Sequence, residues 1–390
     1  MEIKDFRLAL IGLCGAYATS AVAIEPASVT SGPVAVIPQL TVQVGHDDNI
    51  FSSETGEVDS LITVIKPSVQ FIAEQENDAY RLTYALEDGT YQDSSADNYT
   101  DHSLVGEAIL ELNSRNRLDL TASYLKEHED RGSNDSADLG SPDRYTDKVL
   151  SGTYRYGAED AKGNVEVKAS FLDHQFDKVQ NAGRDRDNVL VGATFFYRVA
   201  PKTSALFEVR QEDIDYDLAS STLDNTERKY LAGAKWDATA KTSGTAKLGY
   251  SEKDFDSATH QDQDGISWEV GVRWAPRTYS TFDLNTSQEF EETSGAGDAI
   301  DTETLSLAWT HAWNERVSTN AMLSHMNEDY VGNGAGARED ETDTVTLGVN
   351  YELQRWLSVN LAYTNTDTES NVAGESYDRN QVMLTLVGSL

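Results

Sequence analysis

Residues 266–274 read Ile266-Ser-Trp268-Glu-Val270-Gly-Val272-Arg-Trp274. Every second position is apolar, and the positions between them hold Ser, Glu, Gly and Arg. This alternation predicts a β-strand with one apolar and one polar face. The apolar face ends in tryptophan, a residue that is enriched where a membrane meets water. We therefore predict a strand with lipid on one side and water on the other, as in a membrane-spanning β-barrel.

The same alternation returns along the rest of the chain, between two kinds of connection. Eight connections are short turns, several of them with Lys or Arg, and they alternate with nine long segments rich in Asp, Ser, Gly and Asn. This order predicts an all-β fold, an antiparallel transmembrane barrel of 18 strands, with 16 as the alternative count. The short turns are expected to be periplasmic and the long acidic loops extracellular. A soluble β-sandwich is the competing fold, but its strands do not usually alternate up to the last residue, as residues 382–390 do.

The N-terminus has the pattern of a secretory signal peptide. Lys4 and Arg7 precede an apolar run, and Ala21-Val-Ala23 fits the small-x-small rule for cleavage. We predict a signal peptide over 1–23, a short periplasmic segment over 24–33 and an outer-membrane barrel over 34–390, in a Gram-negative cell. Cys14, the single cysteine, falls inside the signal peptide, so the mature chain is expected to contain no disulfide and no thiol site.

Composition excludes several classes of function. The formal net charge of -35 argues against a nucleic acid partner, because phosphates would be repelled. The seven histidines are scattered, without the spacing of a zinc pair, so no metal and no cofactor are predicted. No local motif points to a catalytic group, and we predict that the protein is not an enzyme.

The polar rows of the strands are the clearest functional signal. They carry acidic and basic residues in mixture, as suits a hydrated lumen that passes polar solutes. Glu269 with Arg273, and Glu208 with Arg210, are expected to form opposite-sign neighbours along one strand. The residues predicted to line the pore are Arg81, Glu87, Glu166, Lys168, Glu208, Arg210, Lys247, Glu269 and Arg273.

The first third of the chain adds a cluster of local motifs. They are Gly45-His-Asp47-Asp48-Asn49-Ile50-Phe51, Gly89-Thr-Tyr91, Asn98-Tyr-Thr-Asp101-His102, Glu111-Leu-Asn-Ser-Arg115-Asn-Arg117-Leu-Asp119-Leu and His128-Glu-Asp-Arg131-Gly132. With them the chain resembles the outer-membrane β-barrel porin family associated with bacterial exopolysaccharide biosynthesis and export clusters; beyond them it matches only in strand rhythm.

This resemblance implies a channel or component for export of a secreted exopolysaccharide, and no catalytic residues. The implied partners are outer-membrane lipids and lipopolysaccharide, the polysaccharide chain and periplasmic polysaccharide-export proteins. A general diffusion porin for small polar solutes is the alternative function, followed by an outer-membrane hydrolase or an adhesin.

Overall fold

The computed structural model describes residues 29–132, 140–158, 160–239, 241–293, 295, 297–334, 336 and 338–389. The predicted signal peptide and its cleavage site lie outside the described residues. The described chain is almost entirely β-strand, with two short 3-10 turns at Ser95–Asp97 and Val179–Asn181. In this part of the chain no helix is long and apolar enough to cross a membrane.

Nineteen strands follow one another along the chain. They are β1 (Val29–Ser31), β2 (Val34–Asp47), β3 (Ser60–Gln75), β4 (Asp78–Tyr91), β5 (Tyr99–Asn113), β6 (Asn116–Glu129), β7 (Asp143–Tyr156), β8 (Gly163–Phe176), β9 (Arg186–Ala200), β10 (Thr203–Tyr216), β11 (Asn225–Thr239), β12 (Thr242–Phe255), β13 (Gln263–Arg277), β14 (Ser280–Glu291), β15 (Ala299–Ala312), β16 (Val317–Val331), β17 (Glu339–Gln354), β18 (Leu357–Ser370) and β19 (Tyr377–Ser389).

Strands β2 to β19 form a closed antiparallel barrel. Each pairs with the strand before it, and β19 returns to pair with β2 from Gln381↔Asp47 to Ser389↔Gln39. Closure leaves no sheet edge to pair with another chain. The predicted count of 18 barrel strands is confirmed, and the alternative count of 16 is wrong.

Strand β1 is an addition to the barrel wall. It pairs antiparallel with the start of β2, from Ser31↔Val34 to Val29↔Val36, on the edge that β19 occupies from Gln39 onward. The segment predicted to precede the barrel therefore contains a strand of three residues that lengthens the wall where β19 ends.

Short turns lie at one end of the barrel and long loops at the other. The end with long loops is called the loop rim here. One turn lies later than the sequence predicts. The sequence favours a turn at Ala275-Pro-Arg277, but β13 continues to Arg277 and the chain reverses only at residues 278 and 279. The β13–β14 pairing is irregular between Trp274 and Arg277, where Pro276 has no N–H to donate.

The two faces of the wall follow the predicted alternation. Ile266 and Leu248 are 64% and 61% exposed on the convex side, whereas Ser267, between Ile266 and Trp268, is fully buried. Near the short-turn end, the ring of Phe282 stacks with Trp274 at 5.2 Å and with Trp309 at 6.4 Å. The outer face thus has an apolar band with an aromatic border, the arrangement that a bilayer interface favours.

Candidate functional site

The concave face of the barrel divides into two arcs of different chemistry. Along β3–β14 every strand carries charged side chains at inward positions, acidic, basic or both; we call this arc the charged wall. Along β15–β19 and β2 the inward positions hold mainly Thr, Ser, Asn, Gln and small or apolar residues; we call this arc the neutral wall. In these six strands, all of them described, inward charges occur only towards the ends, at Asp47, Glu328, Asp340, Glu352 and Arg379.

A four-residue ion network forms the densest part of the charged wall. Lys247 Nζ lies 2.9 Å from Glu208 Oε2 and 2.7 Å from Glu269 Oε2. Arg210 donates to Glu208 at 3.1 Å and lies 3.0 Å from Glu269. Two strands separate Arg210 on β10 from Glu269 on β13, so their side chains meet across the concave face. Each cation thus lies between two carboxylates.

The remaining predicted residues also have partners of opposite charge. Arg81 donates to Glu107 at 3.1 Å, and Glu87 accepts from Lys66 at 2.8 Å. Glu166 lies 3.6 Å from Lys168 on the same strand.

Glu208 and Arg210 are neighbours along one strand, as expected, but Glu269 and Arg273 are not. Arg273 donates instead to Asp283 on β14 at 2.6 Å, and Glu269 binds Lys247 and Arg210. One inward position, Gly271, lies between Glu269 and Arg273, so the two residues are roughly 13 Å apart along the strand. Charged residues on nearby strands are closer than this, so Glu269 and Arg273 form their ion pairs across strands.

Several basic residues of the charged wall were absent from the sequence prediction, and two of them join more than one strand. Arg155 on β7 donates to Glu166 at 2.9 Å and to Asp119 at 2.5 Å, linking three strands. Lys229 on β11 lies 3.1 Å from Glu227 and 3.9 Å from Glu289. Both occupy polar positions of an alternating strand, so the same period-two argument could have identified them.

Hydroxyl and amide side chains bond to one another along the neutral wall. Thr342 and Thr368 are 3.0 Å apart between their Oγ1 atoms, and Thr346 and Thr364 are 3.2 Å apart. Asn360 donates to Asn350 at 2.8 Å. Alternation in Thr342-Asp-Thr344-Val-Thr346 was the signal for this row, but a search restricted to charges passes over it.

A continuous set of contacts joins the nine loops of the rim. Each loop contacts others through a hydrogen bond, an ion pair or a cation–π contact. These contacts are Glu54–Gly374, Phe51–Arg131, Asp97–Arg131, Ser141–Lys178, Asp185–Asp217, Thr222–His260, His260–Asp298, Asp298–Asn333 and Arg338–Glu375.

One carboxylate joins three of these loops. Asp298 lies 2.6 Å from His260 Nδ1 and accepts backbone N–H groups of Gln261 and Asn333 at 2.8 Å each. Burial opposes ionisation of this carboxyl, but the hydrogen bonds from Asn333, His260 and Gln261 outweigh it and hold the pKa of Asp298 below its usual value. Asp298 is therefore charged when it holds these three loops together.

A second carboxylate contacts strands on the concave face that are not adjacent to its own strand. Glu292, which follows β14, accepts from the Tyr216 hydroxyl of β10 at 2.6 Å and from Lys253 of β12, whose side chain is 0% exposed. Burial would raise the pKa of the Glu292 carboxyl, but the charge and hydrogen bond of Lys253, with the bond from Tyr216, hold that pKa below its usual value.

One group of side chains has the composition of a metal site. His325, Glu341 and Asp343 bring one potential ligand atom each within 4.8 Å of one another on the outer face. His325 is partly buried, whereas Glu341 and Asp343 are exposed, and the Nδ1 atom of His325 already contacts Asp343 at 2.9 Å. The group has the character of a solvated surface cluster.

Comparisons with known proteins agree with this architecture. The chain matches OpdK of Pseudomonas aeruginosa with 11% identity over 91% of this chain and 99% of that chain, at a TM-score of 0.54, and the OpdK structure with vanillate with 12% identity, the same coverage and a TM-score of 0.53. The FrpB iron transporter of Neisseria meningitidis (F3-3 variant) matches with 11% identity over 86% of this chain, at a TM-score of 0.50, and this chain spans 62% of its length. At such low identity these likenesses show the fold.

No curated protein matches the chain in sequence. A family model does: the one described as "Putative beta-barrel porin 2" matches residues 22–389, nearly the whole chain. The resemblance found in the sequence is thereby confirmed at the level of the β-barrel porins, while the link to exopolysaccharide clusters stays a prediction. The chain belongs to this β-barrel porin family.

Proposed function

We propose that this porin is a water-filled outer-membrane channel for polar solutes. The observation that carries the proposal is a closed 18-strand barrel with an apolar outer face and paired charges along β3–β14 inside. A barrel of this size is too wide for side chains alone to fill. Water and solutes therefore occupy the space between the charged wall and the neutral wall.

The nine predicted pore-lining residues take a defined role in this proposal. Their ion pairs keep the wall hydrated, and they confine each charge to its neighbourhood, so a passing solute meets weak and replaceable contacts. The short turns face the periplasm and the long loops the exterior, the usual orientation of outer-membrane barrels. In this role the protein needs no catalytic group.

Export of an exopolysaccharide is the second candidate, and the neutral wall favours it. Partly exposed hydroxyl and amide groups of this wall, such as those of Thr344, Asn350 and Thr366, offer hydrogen bonds to sugar hydroxyls without a fixed charge. A long glycan can exchange such contacts step by step. The partners in this case are the polysaccharide chain and periplasmic export proteins, with lipopolysaccharide around the barrel.

Planar-bilayer recording on the purified protein tests the channel. We expect stable conductance steps in potassium chloride, together with swelling of proteoliposomes in small sugars; membranes that stay as tight as protein-free controls would refute the proposal. A deletion strain separates the two candidates. Loss of surface polysaccharide with intact intracellular precursor supports export, whereas unchanged polysaccharide with reduced uptake of small solutes supports general diffusion.

A further inference from the structure

One seam of the barrel wall is incomplete. The ladder between β13 and β14 stops at Glu269↔Ser287 on its way to the loop rim. On their other sides, β13 stays paired with β12 up to Gln263, and β14 stays paired with β15 up to Glu291. Beyond Ser287, β13 and β14 therefore separate from each other, while each stays paired with its other neighbour.

The position of Phe290 shows how β14 leaves the seam. By alternation with Phe282, Leu284 and Thr286, Phe290 should point outward, yet it is only 7% exposed. A Cβ on the inward-facing Gly265 of β13 would lie 3.9 Å from Phe290 Cζ. The end of β14 has thus moved to the inside of β13.

Residues 288–293, called the strap here, are held inside by specific contacts. Ser267 Oγ donates to the Gln288 carbonyl at 3.1 Å, in place of a backbone ladder bond. Beyond β14, the Glu292 carboxylate bonds to Tyr216 and Lys253 on the concave face, as described above. Two strands lie between β13 and β10, so the strap carries Glu292 over the charged wall.

The tucked strap also leaves one group poorly placed. Gln288 is 3% exposed, and its Oε1 has no hydrogen-bond partner among the described residues. A buried acceptor without a partner is destabilising. On the outside, Ile266 would stand opposite Phe290 if the ladder continued in the same register.

We propose that the strap is the gate of this channel and moves between a tucked and a zipped state. In the zipped state the ladder continues, with Trp268↔Gln288, Ser267↔Glu289 and Ile266↔Phe290. Phe290 then faces outward beside Ile266, and Glu292 leaves the charged wall. The inference rests on the proposed channel function. The tucked state is held by the Glu292 ion pair, and the zipped state by ladder bonds and a cross-strand apolar pair.

A disulfide tests the zipped state directly, because Cys14, the single native cysteine, precedes the barrel strands in the chain. The variant Ile266→Cys with Phe290→Cys brings the two thiols within bonding distance only when the ladder extends past Ser287. The matched control is Val270→Cys with Thr286→Cys, a pair of residues already opposite each other. Both pairs should cross-link on oxidation, and only the first should increase conductance, reversibly on reduction.

Gel mobility and bilayer conductance measure different properties of these variants. Absence of the Ile266–Phe290 cross-link, with the control pair cross-linked, would overturn the gate even if the wild-type channel conducts. A cross-link that leaves conductance unchanged would also overturn it. A wild-type protein that never conducts refutes the channel instead, while gel mobility still shows whether the strap can zip.

Glu292→Gln provides a second test that needs no cysteine. Loss of the carboxylate charge weakens the hold of Lys253 on the strap, so the ratio of open to closed time should rise by roughly fivefold or more. Glu107→Gln is the matched control, since Glu107 is also inward-facing but pairs with Arg81 on β4, away from the strap. An unchanged open-to-closed ratio in Glu292→Gln, or an equal rise in Glu107→Gln, contradicts the gate.

Discussion

The charged wall and the neutral wall belong to one barrel and one strand pattern, yet they organise water in different ways. On the charged wall, long side chains span several strands, as Arg210 does in reaching Glu269. On the neutral wall, short side chains bond to the adjacent strand, as Thr346 does with Thr364. The first wall sets the local electric field, and the second offers contacts that depend little on charge. Ion selectivity and sugar affinity should therefore depend on different arcs of the same lumen.

The largest effect should come from charges placed on the outer, lipid-facing side of either wall. Val270→Arg and Leu347→Arg put a cation on the outer face of β13 and β17, where a lipid-facing Arg costs about 2–4 kcal/mol at mid-membrane. We expect both variants to lose heat-modifiable gel mobility, because the two walls differ only on the inside. Normal folding of either variant would mean that the faces of that strand are inverted.

A smaller but clear effect should follow from removing the acids of the ion network. Glu208→Gln with Glu269→Gln leaves Arg210 and Lys247 without their carboxylates, so the reversal potential in a salt gradient should shift towards anions. Thr346→Val with Thr364→Val, the same number of changes on the neutral wall, should leave that potential unchanged. Equal shifts of the reversal potential in both variants would contradict the idea that only the charged wall sets ion selectivity.

Arg273→Glu should produce a milder change in the opposite direction. The Arg273 side chain is 64% exposed and binds Asp283 at the surface of the wall, so its loss costs little stability. We expect a modest shift of selectivity towards cations, with normal assembly by gel mobility. If Arg273→Glu fails to assemble while Val270→Arg folds, the assignment of the inner and outer faces of β13 is reversed.

The smallest effect concerns sugars on the neutral wall. Thr344→Val with Thr366→Val removes two partly exposed hydroxyls that lie opposite each other, and keeps the shape of the side chains. Current block by a neutral oligosaccharide should become shorter-lived by a factor of about two to five, since each lost hydrogen bond is worth about 0.5–1.5 kcal/mol. Thr344→Ser with Thr366→Ser retains both hydroxyls and should behave as wild type. Identical block in all three proteins would remove the support for glycan contact.

The sequence predicted the faces of each strand well because a period of two is a local property. Glu208 and Arg210 followed from it directly, and so would the threonines of β17, had polar uncharged rows been searched as closely as charged ones. Pairing across the lumen wall could not be predicted in this way. Contacts such as Arg210 with Glu269 depend on curvature and stagger, which bring strands together that are 59 residues apart in the chain.

The incomplete seam shows the limit of pattern analysis most clearly. The outward row of β14 turns polar at Thr286 and Gln288, but a period of two still predicts an outward Phe290 and a continuous ladder. What overrides it is a set of long-range contacts between Glu292 and side chains on β10 and β12. These contacts come from residues distant in the sequence, and the only local sign of them in β14 is the change from apolar to polar at its last outward positions before Phe290.

The place where the chain closes on itself has a consequence for assembly. The first and last barrel strands, β2 and β19, meet inside the neutral wall, where Gln43 donates to Thr385 at 3.2 Å. Only at the rim does a charged pair, Arg379 with Asp47, span this junction, with Nε to Oδ2 at 2.8 Å. Closure of the barrel therefore requires no long charged side chains to pass each other below the rim, and among the described residues one ion pair, Arg379 with Asp47, connects the two strands.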